Sequence, residues 1–490
     1  MKKEQFYELL GDVDEKAVKA AENPPGRKTK KPWLKIGAIA AACLVLAAGI
    51  GIGYRNFNPY DSTVLNIAQN KKMLLAAAIY PEMPAYPSGL NQINPNAFEK
   101  WSAARAALRD QPEGYKDGFD VFFSDSTRTF LSDAGTKNII YSPLSLYMAL
   151  GMSAEITDGE TRRQILDALA QDDIDSLRSH AKSIWQANYM DDGMAKCVLA
   201  TSLWTNNSIA YDRDTVDFLA SNYYSSVFTG DPSSEEYNKL LRAWLNEQTD
   251  GILDDYVSGI EMDPETVLAI ASTVSYSGKW NHKFSKDKTK QGTFHSPNGD
   301  IQCDFMNSKR DTTYFWGDKF ASISMGLEGN GSMRLILPDE GVSAEELLTD
   351  DEAMAFMAPV DGDARYPNST YIKVNMSIPR FDVSSEIDLR EGLNKLGITD
   401  LFDAEKSDFS PLTKAVVEGG IAISRAEQDT RVIIDEDGCK ASSMTIMLGA
   451  GAAMPPDDEV DFILDRPFIF EIVSNTGLPL FVGIVNDPVQ

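Results

Sequence analysis

The 490-residue chain is poor in the residue types on which catalysis, metal binding and covalent cross-linking depend. It has only three histidines and four cysteines. Cys43, Cys197, Cys303 and Cys439 are far apart and form no CxxC pair, so neither a disulfide framework nor a structural zinc site is indicated. GxSxG, HExxH and GxGxxG motifs are missing too. The sequence therefore predicts a protein that is not an enzyme and that uses no cofactor and no metal.

Positive charge is also scarce, because the chain carries a formal net charge of −27. Recognition of nucleic acids needs clustered Lys and Arg, so a nucleic-acid partner is not expected. The first 35 residues differ from the rest, with 9 Lys and Arg against 6 Asp and Glu. The acidic character therefore belongs to the remainder of the chain.

One long hydrophobic run is present near the N-terminus. Residues Ile36–Tyr54 contain no charged side chain, and about 19 residues suffice to span a bilayer as a helix. Basic residues between Arg27 and Lys35 precede the run, so the positive-inside rule places residues 1–35 in the cytoplasm and exports everything that follows. We expect residues 36–54 to be a single-pass anchor in the cell membrane.

Two alternatives to the anchor remain. The run can be a signal peptide that is cut near Ala47–Gly49, although a 35-residue leading segment is long for that role. It can also carry a lipid on Cys43, although Ala40 stands where such a motif normally has Leu.

The exported part divides into a linker and one large domain. Residues 55–111 are rich in Asn, Pro and Ala, which indicates a stalk with short helical pieces near Ser62–Ile79 and Ala97–Arg109. From residue 112 to 490, helical periodicity comes early, as in Leu144–Met152. Strand patterns come late, as in Ser332–Leu337, Tyr371–Ile378 and Phe468–Val473. This order predicts an α+β domain over residues 112–490.

Short motifs follow one another through this domain. They are Asn138–Ser145 (NIIYSPLS), Gly159-x-Thr161, Ala200–Trp204 (ATSLW), Trp244–Ile252 (WLNEQTDGI), Ser277–Phe284 (SGKWNHKF), Met333–Pro338 (MRLILP), Ile378–Phe381 (IPRF), Leu389–Ile398, Asp408–Ser410 (DFS), Arg466–Phe470 (RPFIF) and Gly477–Asn486 (GLPLFVGIVN). In this order and with this spread, the chain resembles the serpin family.

The resemblance implies both a fold and a function. The serpin fold packs helices around a large, mostly antiparallel central sheet, with further sheets and an exposed reactive loop. A serine protease cleaves this loop and forms an acyl-enzyme, and the freed segment then inserts into the central sheet and distorts the attached protease. Here the loop matches Glu436–Asp461, with Glu436 and Gly438 at its hinge.

Insertion buries alternate side chains, so every second loop residue must be uncharged. The chain meets this demand, because its one charged residue on the inserting strand, Lys440, falls in the outward set. The inward set, counted from Gly438, is Cys439, Ala441, Ser443, Thr445, Met447 and Gly449. The outward set is Lys440, Ser442, Met444, Ile446, Leu448 and Ala450.

The family's spacing also places the cleaved bond. Fourteen residues beyond Gly438 lies Ala452, with Ala453 on the leaving side. A small apolar residue suits the shallow primary pocket of elastase-like or subtilisin-like proteases. Cleavage after Met454 is the second choice, because Pro455 on its leaving side disfavours it.

The region where the sheet opens departs from the family pattern. Serpins usually pair an Asn with a His there, and the matching positions are Ser272 and Gln428. Ser142 and Ser145 keep the family's residues, and Trp280 belongs to the same region. A Ser–Gln hydrogen bond can replace the usual pair, because the Gln amide both donates and accepts.

The resemblance, together with the charged leader and the anchor, thus favours a monomeric, bacterial, membrane-anchored inhibitor of extracellular serine proteases. The alternative is a non-inhibitory module of the same fold that serves binding or adhesion at the cell surface. Charged residues at the inward loop positions would have favoured that alternative, and the sequence has none.

Overall fold

A computed structural model of the protein describes residues 63–87, 94–132, 134–359, 366–439 and 458–489. The predicted anchor at 36–54 and the loop residues 440–457 lie outside this range.

Helices are concentrated in the first half of the described chain. They are α1 (Thr63–Asn70), α2 (Pro95–Arg109), α3 (Phe119–Leu131), α4 (Pro143–Ile156), α5 (Gly159–Ala168), α6 (Ile174–Asn188), α7 (Arg213–Asn222), α8 (Glu235–Gln248), α9 (Asp254–Val257), α10 (Ala344–Leu348), α11 (Asp351–Met357) and α12 (Leu389–Lys395), with 3₁₀ turns at Lys286–Lys288, Glu328–Asn330 and Asp400–Phe402.

Strands dominate the second half. They are β1 (Leu74–Ala76), β2 (Ile139–Tyr141), β3 (Met190–Asp191), β4 (Lys196–Asn206), β5 (Ser225–Gly230), β6 (Leu268–Lys279), β7 (Lys290–Ser296), β8 (Gly299–Trp316), β9 (Phe320–Gly326), β10 (Ser332–Pro338), β11 (Ser369–Pro379), β12 (Phe381–Asp388), β13 (Glu427–Ile434), β14 (Gly438–Cys439), β15 (Glu459–Ile463), β16 (Phe468–Val473) and β17 (Pro479–Val485). The three strand patterns singled out in the sequence correspond to β10, β11 and β16.

The described strands form two sheets. The central sheet has the order β1-β5-β4-β6-β14-β13-β12, with β3 paired to β4. The second sheet has the order β15-β11-β8-β9-β10-β16-β17-β2, with β7 paired to β8. Neighbouring strands are antiparallel except in the pairs β4–β5 and β11–β15. The described residues thus confirm the predicted α+β class with a mostly antiparallel central sheet.

Helix α4 occupies the core next to the central sheet. Pro143 stands in its first turn, where a missing N–H costs nothing, and the Ser142 side chain caps the helix by accepting a hydrogen bond from the Ser145 N–H. Nearly every residue of the helix is buried, as expected for a helix that is apolar on all sides. The Ser142 cap therefore lies inside the domain, within reach of the sheet strands.

Residues 63–87, which the sequence assigns to the linker, lie along the edge of the central sheet. Strand β1 pairs with β5, so the predicted helix over 62–79 ends at Asn70 and the chain becomes extended. An edge strand offers unpaired N–H and C=O groups, and β1 satisfies those of β5. Tyr80 is buried with its ring 5.0 Å from that of Trp185. Next to β1, Lys71 forms an ion pair with Glu236 of α8.

A bilayer-spanning helix needs a long apolar stretch. None of the helices within the described ranges has that combination of length and apolarity.

Candidate functional site: a gap in the central sheet

The central sheet is open between β6 and β13. These two strands are held together at one end only, where the two residues of β14 lie between them. Cys439 pairs with Gly278 of β6 and with Ile434 of β13, and both pairings are antiparallel. Beyond that point the two strands share no ladder pair in the part of the chain that the structure describes. We call the space from this point down to Leu268 the gap.

A tight turn at residues 435–438 brings the chain into β14. Gly438 has φ of +147°, and a Cβ on it would lie 2.6 Å from the carbonyl oxygen of Gly278. Only glycine fits a backbone that approaches so closely in this conformation. The Trp280 indole N–H donates to the Asp435 carbonyl oxygen at 2.8 Å, and the buried Trp280 ring thereby fixes the turn against β6.

Glu436 anchors the same turn from the other side. Its side chain is buried and accepts a hydrogen bond from the Thr289 hydroxyl at 2.7 Å. The Arg380 guanidinium lies 3.7 Å from its other oxygen. A buried carboxylate that has both a hydrogen-bond donor and a cation beside it is compensated for the loss of water. The predicted hinge is therefore fixed where the loop leaves the sheet.

Each strand beside the gap is bound to helix α4. Gln428 of β13 holds the Ser142 peptide at both groups, with Oε1 accepting from the N–H at 2.6 Å and Nε2 donating to the carbonyl oxygen at 3.1 Å. Ser272 of β6 donates to the Ser145 carbonyl oxygen at 3.0 Å and accepts from the Ser145 hydroxyl at 3.0 Å.

The expected bond between Ser272 and Gln428 is thus replaced by four hydrogen bonds to the start of α4, two from each side chain. Both side chains reach the N-terminal end of α4. The strands are therefore held side by side through α4 rather than through one another.

Cavities mark the gap on both of its faces. One of about 60 Å³ is lined by Ser142 on the inner side and by Leu253 on the outer side, so it passes through the sheet. A second, of about 70 Å³, lies between α4 and α12 and is lined by Ile270 and Leu393. A third, of about 580 Å³, lies on the outer face beneath α8. No described residue occupies the space that a further strand would fill.

A carboxylate that the sequence analysis did not single out borders this space. Asp429 lies directly opposite Glu386 in the ladder between β13 and β12, so two like charges face each other across the strands. Burial, together with the charges of Glu386 and Glu427, raises the pKa of Asp429 to about 6. The alternating strand pattern next to Gln428 could have drawn attention to Asp429. Its partner Glu386 lies on another strand, and only the fold brings the two carboxylates together.

The structure locates part of the predicted site. Glu436, Gly438, Cys439 and Trp280 lie together at the upper end of the gap. The four residues around the predicted opening, Ser142, Ser145, Ser272 and Gln428, lie together about six residues further down the two strands. Cys439 is 5% exposed and lines the cavity of about 60 Å³. The inserting residues Ala441, Ser443, Thr445 and Met447, and the bond residues Ala452, Ala453 and Met454, lie outside the described residues.

Comparisons with known proteins agree on one family. The family profile described as Serpin (serine protease inhibitor) matches residues 120–488. The chain is similar to Serpin-ZX of Arabidopsis thaliana, at 26% identity over 366 residues, covering 72% of this chain and 93% of that protein. It is also 27% identical to an alpha-1-antiproteinase of Rattus norvegicus, over 74% of this chain and 86% of that protein. The solved structure of the thermophilic serpin Tengpin in its native state is similar with a TM-score of 0.66 and 26% identity, covering 77% of this chain and 95% of that one.

Replacing Asp429 by Asn is expected to raise the melting temperature of the uncleaved protein at pH 7.5. The variant loses a carboxylate that faces Glu386, and the free energy of unfolding rises by at most about 3 kcal/mol, the equivalent of raising a pKa from 3.8 to about 6. In the folded protein Asp429 becomes neutral below about pH 6, whereas in the unfolded chain it stays ionised to about pH 4. The ionised carboxylate therefore opposes folding above pH 6, and this penalty disappears as the pH falls.

Thermal denaturation of both proteins at pH 7.5 and pH 5 checks this expectation. The advantage of the variant should shrink at pH 5, and Glu386→Gln should stabilise in the same direction by a smaller amount. A variant that melts below the wild type at pH 7.5 would show that Asp429 makes a favourable contact instead.

Proposed function

The chain belongs to the serpin family of serine protease inhibitors, and from this we propose that it inhibits elastase-like or subtilisin-like proteases through cleavage between Ala452 and Ala453. The observation that carries the proposal is the gap between β6 and β13, with the loop leaving the sheet at its upper end in register with both strands. The curated relatives are serine protease inhibitors, and the chain is accordingly not an enzyme.

Cleavage supplies the covalent link. The protease's serine oxygen attacks the carbonyl carbon of Ala452, the peptide bond to Ala453 breaks, and the Ala453 nitrogen takes up a proton and leaves. The part of the loop that precedes the broken bond is then free at its C-terminal end. It remains attached at Cys439, where the chain already lies between β6 and β13.

Continuing the pairing of Cys439 gives the register of the inserted strand. Thr445 lies six residues beyond Cys439, Ser272 six residues before Gly278, and Gln428 six residues before Ile434. Residues directly opposite each other in an antiparallel ladder project to the same face. Thr445 would therefore enter between Ser272 and Gln428 with its side chain toward α4.

Two kinds of interaction would stabilise the inserted strand. Its backbone satisfies ladder groups of β6 and β13, and its inward side chains are buried between the sheet and α4. Met447, two residues further on, would lie opposite Ile270 and next to the cavity of about 70 Å³. The inward set has only one long side chain, and the register brings it to a cavity that is lined by apolar residues.

The small side chain of Ala452 supports the choice of target. A shallow primary pocket accepts Ala, whereas a trypsin-type pocket requires a cation that this bond does not offer.

We further propose that residues 36–54 anchor the protein in the cell membrane and that the serpin domain works outside the cell as a monomer. The uncharged run and the basic residues before it support the orientation. An inhibitor placed there would protect a bacterial cell from extracellular proteases.

The first expected result is a covalent complex. The full-length protein incubated with pancreatic-type elastase should give a complex that survives denaturing electrophoresis, together with a C-terminal fragment whose first residue is Ala453. Trypsin is the control protease and should form no complex at this bond. Complete cleavage by elastase without a complex would refute inhibition and favour the non-inhibitory module.

The second expected result concerns the register. Thr445→Arg places an unpaired charge in the buried face of the sheet, so the variant should be cleaved as a substrate, with the moles of inhibitor consumed per mole of elastase rising about tenfold or more. The control Thr445→Val keeps the shape of the side chain without a charge and should still inhibit. Undiminished inhibition by the Arg variant would show that Thr445 does not face inward.

The third expected result concerns the anchor. In fractionated cells the protein should sediment with membranes, resist extraction by alkaline carbonate and dissolve in detergent, because a spanning helix is held by apolar burial. Extracellular protease should remove the serpin domain from intact cells. Recovery of a soluble protein that begins near residue 50 would support the signal-peptide alternative instead.

A further inference from the structure

The largest of the three cavities lies on the face of the central sheet that is turned away from α4. Its volume of about 580 Å³ falls within the roughly 300–1,000 Å³ that is usual for pockets that bind small molecules. Strands β6 and β13 form its floor, and helix α8 with the chain that follows it forms its roof. The roof is apolar, with lining residues Leu241, Leu245, Leu253, Val257 and Ile260. A ligand in this cavity would therefore bury an apolar body against the roof.

The floor of the cavity contains a buried hydroxyl group without a partner. Thr273 of β6 lines the cavity and is 9% exposed, and its Oγ1 has no hydrogen-bond partner among the described residues. The neighbouring Ser272 reaches α4 on the inner face, so the alternation along the strand turns Thr273 toward the cavity. A buried hydroxyl without a partner costs free energy, and a ligand that forms a hydrogen bond with it would remove that cost.

Asp429 of β13 lies across the gap from this hydroxyl. Cys439 pairs with both Gly278 and Ile434, and Thr273 and Asp429 each lie five residues before one of these two partners. Counting down both strands from that point places Thr273 and Asp429 level with each other. The residue before Asp429 reaches α4, so the Asp429 side chain also faces the cavity.

Negative charge predominates around the cavity. Four carboxylates line it, which are Glu261 and Asp263 after α8 and Glu427 and Asp429 on β13. Arg425 is the one cation among the lining residues, and its guanidinium is paired with Glu427. The other three carboxylates have no cation at ion-pair distance within the described ranges. The cavity therefore favours a ligand that carries a positive charge.

From these observations we propose that the cavity beneath α8 binds a small amphiphilic cation, with its apolar body against the roof and its ammonium group on the floor between Asp429 and Thr273. The ammonium group would donate to the Asp429 carboxylate on one strand and to the Thr273 hydroxyl on the other. Binding requires neither cleavage nor insertion of the loop, so the inference stands independently of the proposed function.

Three probes of similar shape and different charge test the proposal: naphthylethylamine, naphthylethanol and naphthylacetate. Their affinities for the uncleaved, full-length protein are measured at pH 7.5 by calorimetric titration in a non-ionic detergent, with detergent alone as the blank. The amine should bind about tenfold more tightly than the alcohol, because it adds a charge-assisted contact, and the acetate should not bind, because it meets like charges. Equal affinities of the amine and the alcohol, or no saturable binding of the amine, would overturn the proposal.

Substitutions on the floor separate the two polar contacts. Asp429→Asn should weaken the binding of naphthylethylamine about tenfold and leave that of naphthylethanol unchanged, because only the amine interacts with the charge. Thr273→Val keeps the shape of the side chain without the hydroxyl and should weaken the amine severalfold. Ala271→Phe places a large side chain on the floor and should abolish the binding of both probes.

Glu386→Gln is the matched control, because it removes a carboxylate that faces Asp429 but does not line the cavity. It should change the affinity for the amine by less than about twofold. Amine binding that survives Asp429→Asn undiminished would place the ammonium group elsewhere and would contradict the proposal.

The pH provides a second readout of the same contact. The charged groups around Asp429 are Glu386 on β12, Glu427 and Arg425 next to it in sequence, and Glu261 and Asp263 after α8. Burial and the nearby carboxylates raise the pKa of Asp429 to about 6, so a change from pH 7.5 to pH 5 neutralises it. The affinity for the amine, which stays protonated, should fall severalfold at pH 5 in the wild type but not in Asp429→Asn. A wild-type affinity that is the same at both pH values would show that Asp429 does not hold the ammonium group.

Discussion

The described structure depends on one arrangement: two strands of the central sheet lie side by side without pairing along most of their length. Strands β6 and β13 are joined only by the two residues of β14, and below that point each is bonded to helix α4 instead. Hydrogen bonds to a third element hold the strands at a distance that leaves cavities on both sides. Because protein interiors normally pack without such voids, the uncleaved fold retains unused packing energy.

The side chains along the gap are arranged so that insertion of a strand would break few existing hydrogen bonds. Gln428 holds both groups of the Ser142 peptide, and Ser272 holds Ser145, so neither strand depends on a bond to the other. A new strand therefore has no cross-strand bond to break at this point. Asp429 adds an unfavourable like-charge contact with Glu386 to the same edge. The stability of the uncleaved state is consequently lowered at a strand that borders the gap.

The sequence predicted those features that are encoded locally. Alternating apolar residues predicted β10, β11 and β16. Gly397, which adopts φ of +89°, is a local signal of the same kind, because it follows the end of the Leu-rich helix α12. The hinge was readable from the family resemblance, and the structure supplies the physical reason for its glycine, because Gly438 approaches Gly278 closely. The attachment of β1 to β5 was not, because an edge strand is recognised by its partner's free backbone groups and not by side-chain pattern. The same holds for Glu436, whose partners Thr289 and Arg380 are distant in sequence.

The composition of the loop's inward set fits the surface that its register would meet. Small side chains suit the space between Ser272 and Gln428, where both strands are bonded to the start of α4. None of the inward residues carries a charge, so insertion would leave no unpaired charge in the sheet. The free energy released on insertion would then come from ladder hydrogen bonds and apolar burial, with no buried charge to oppose it.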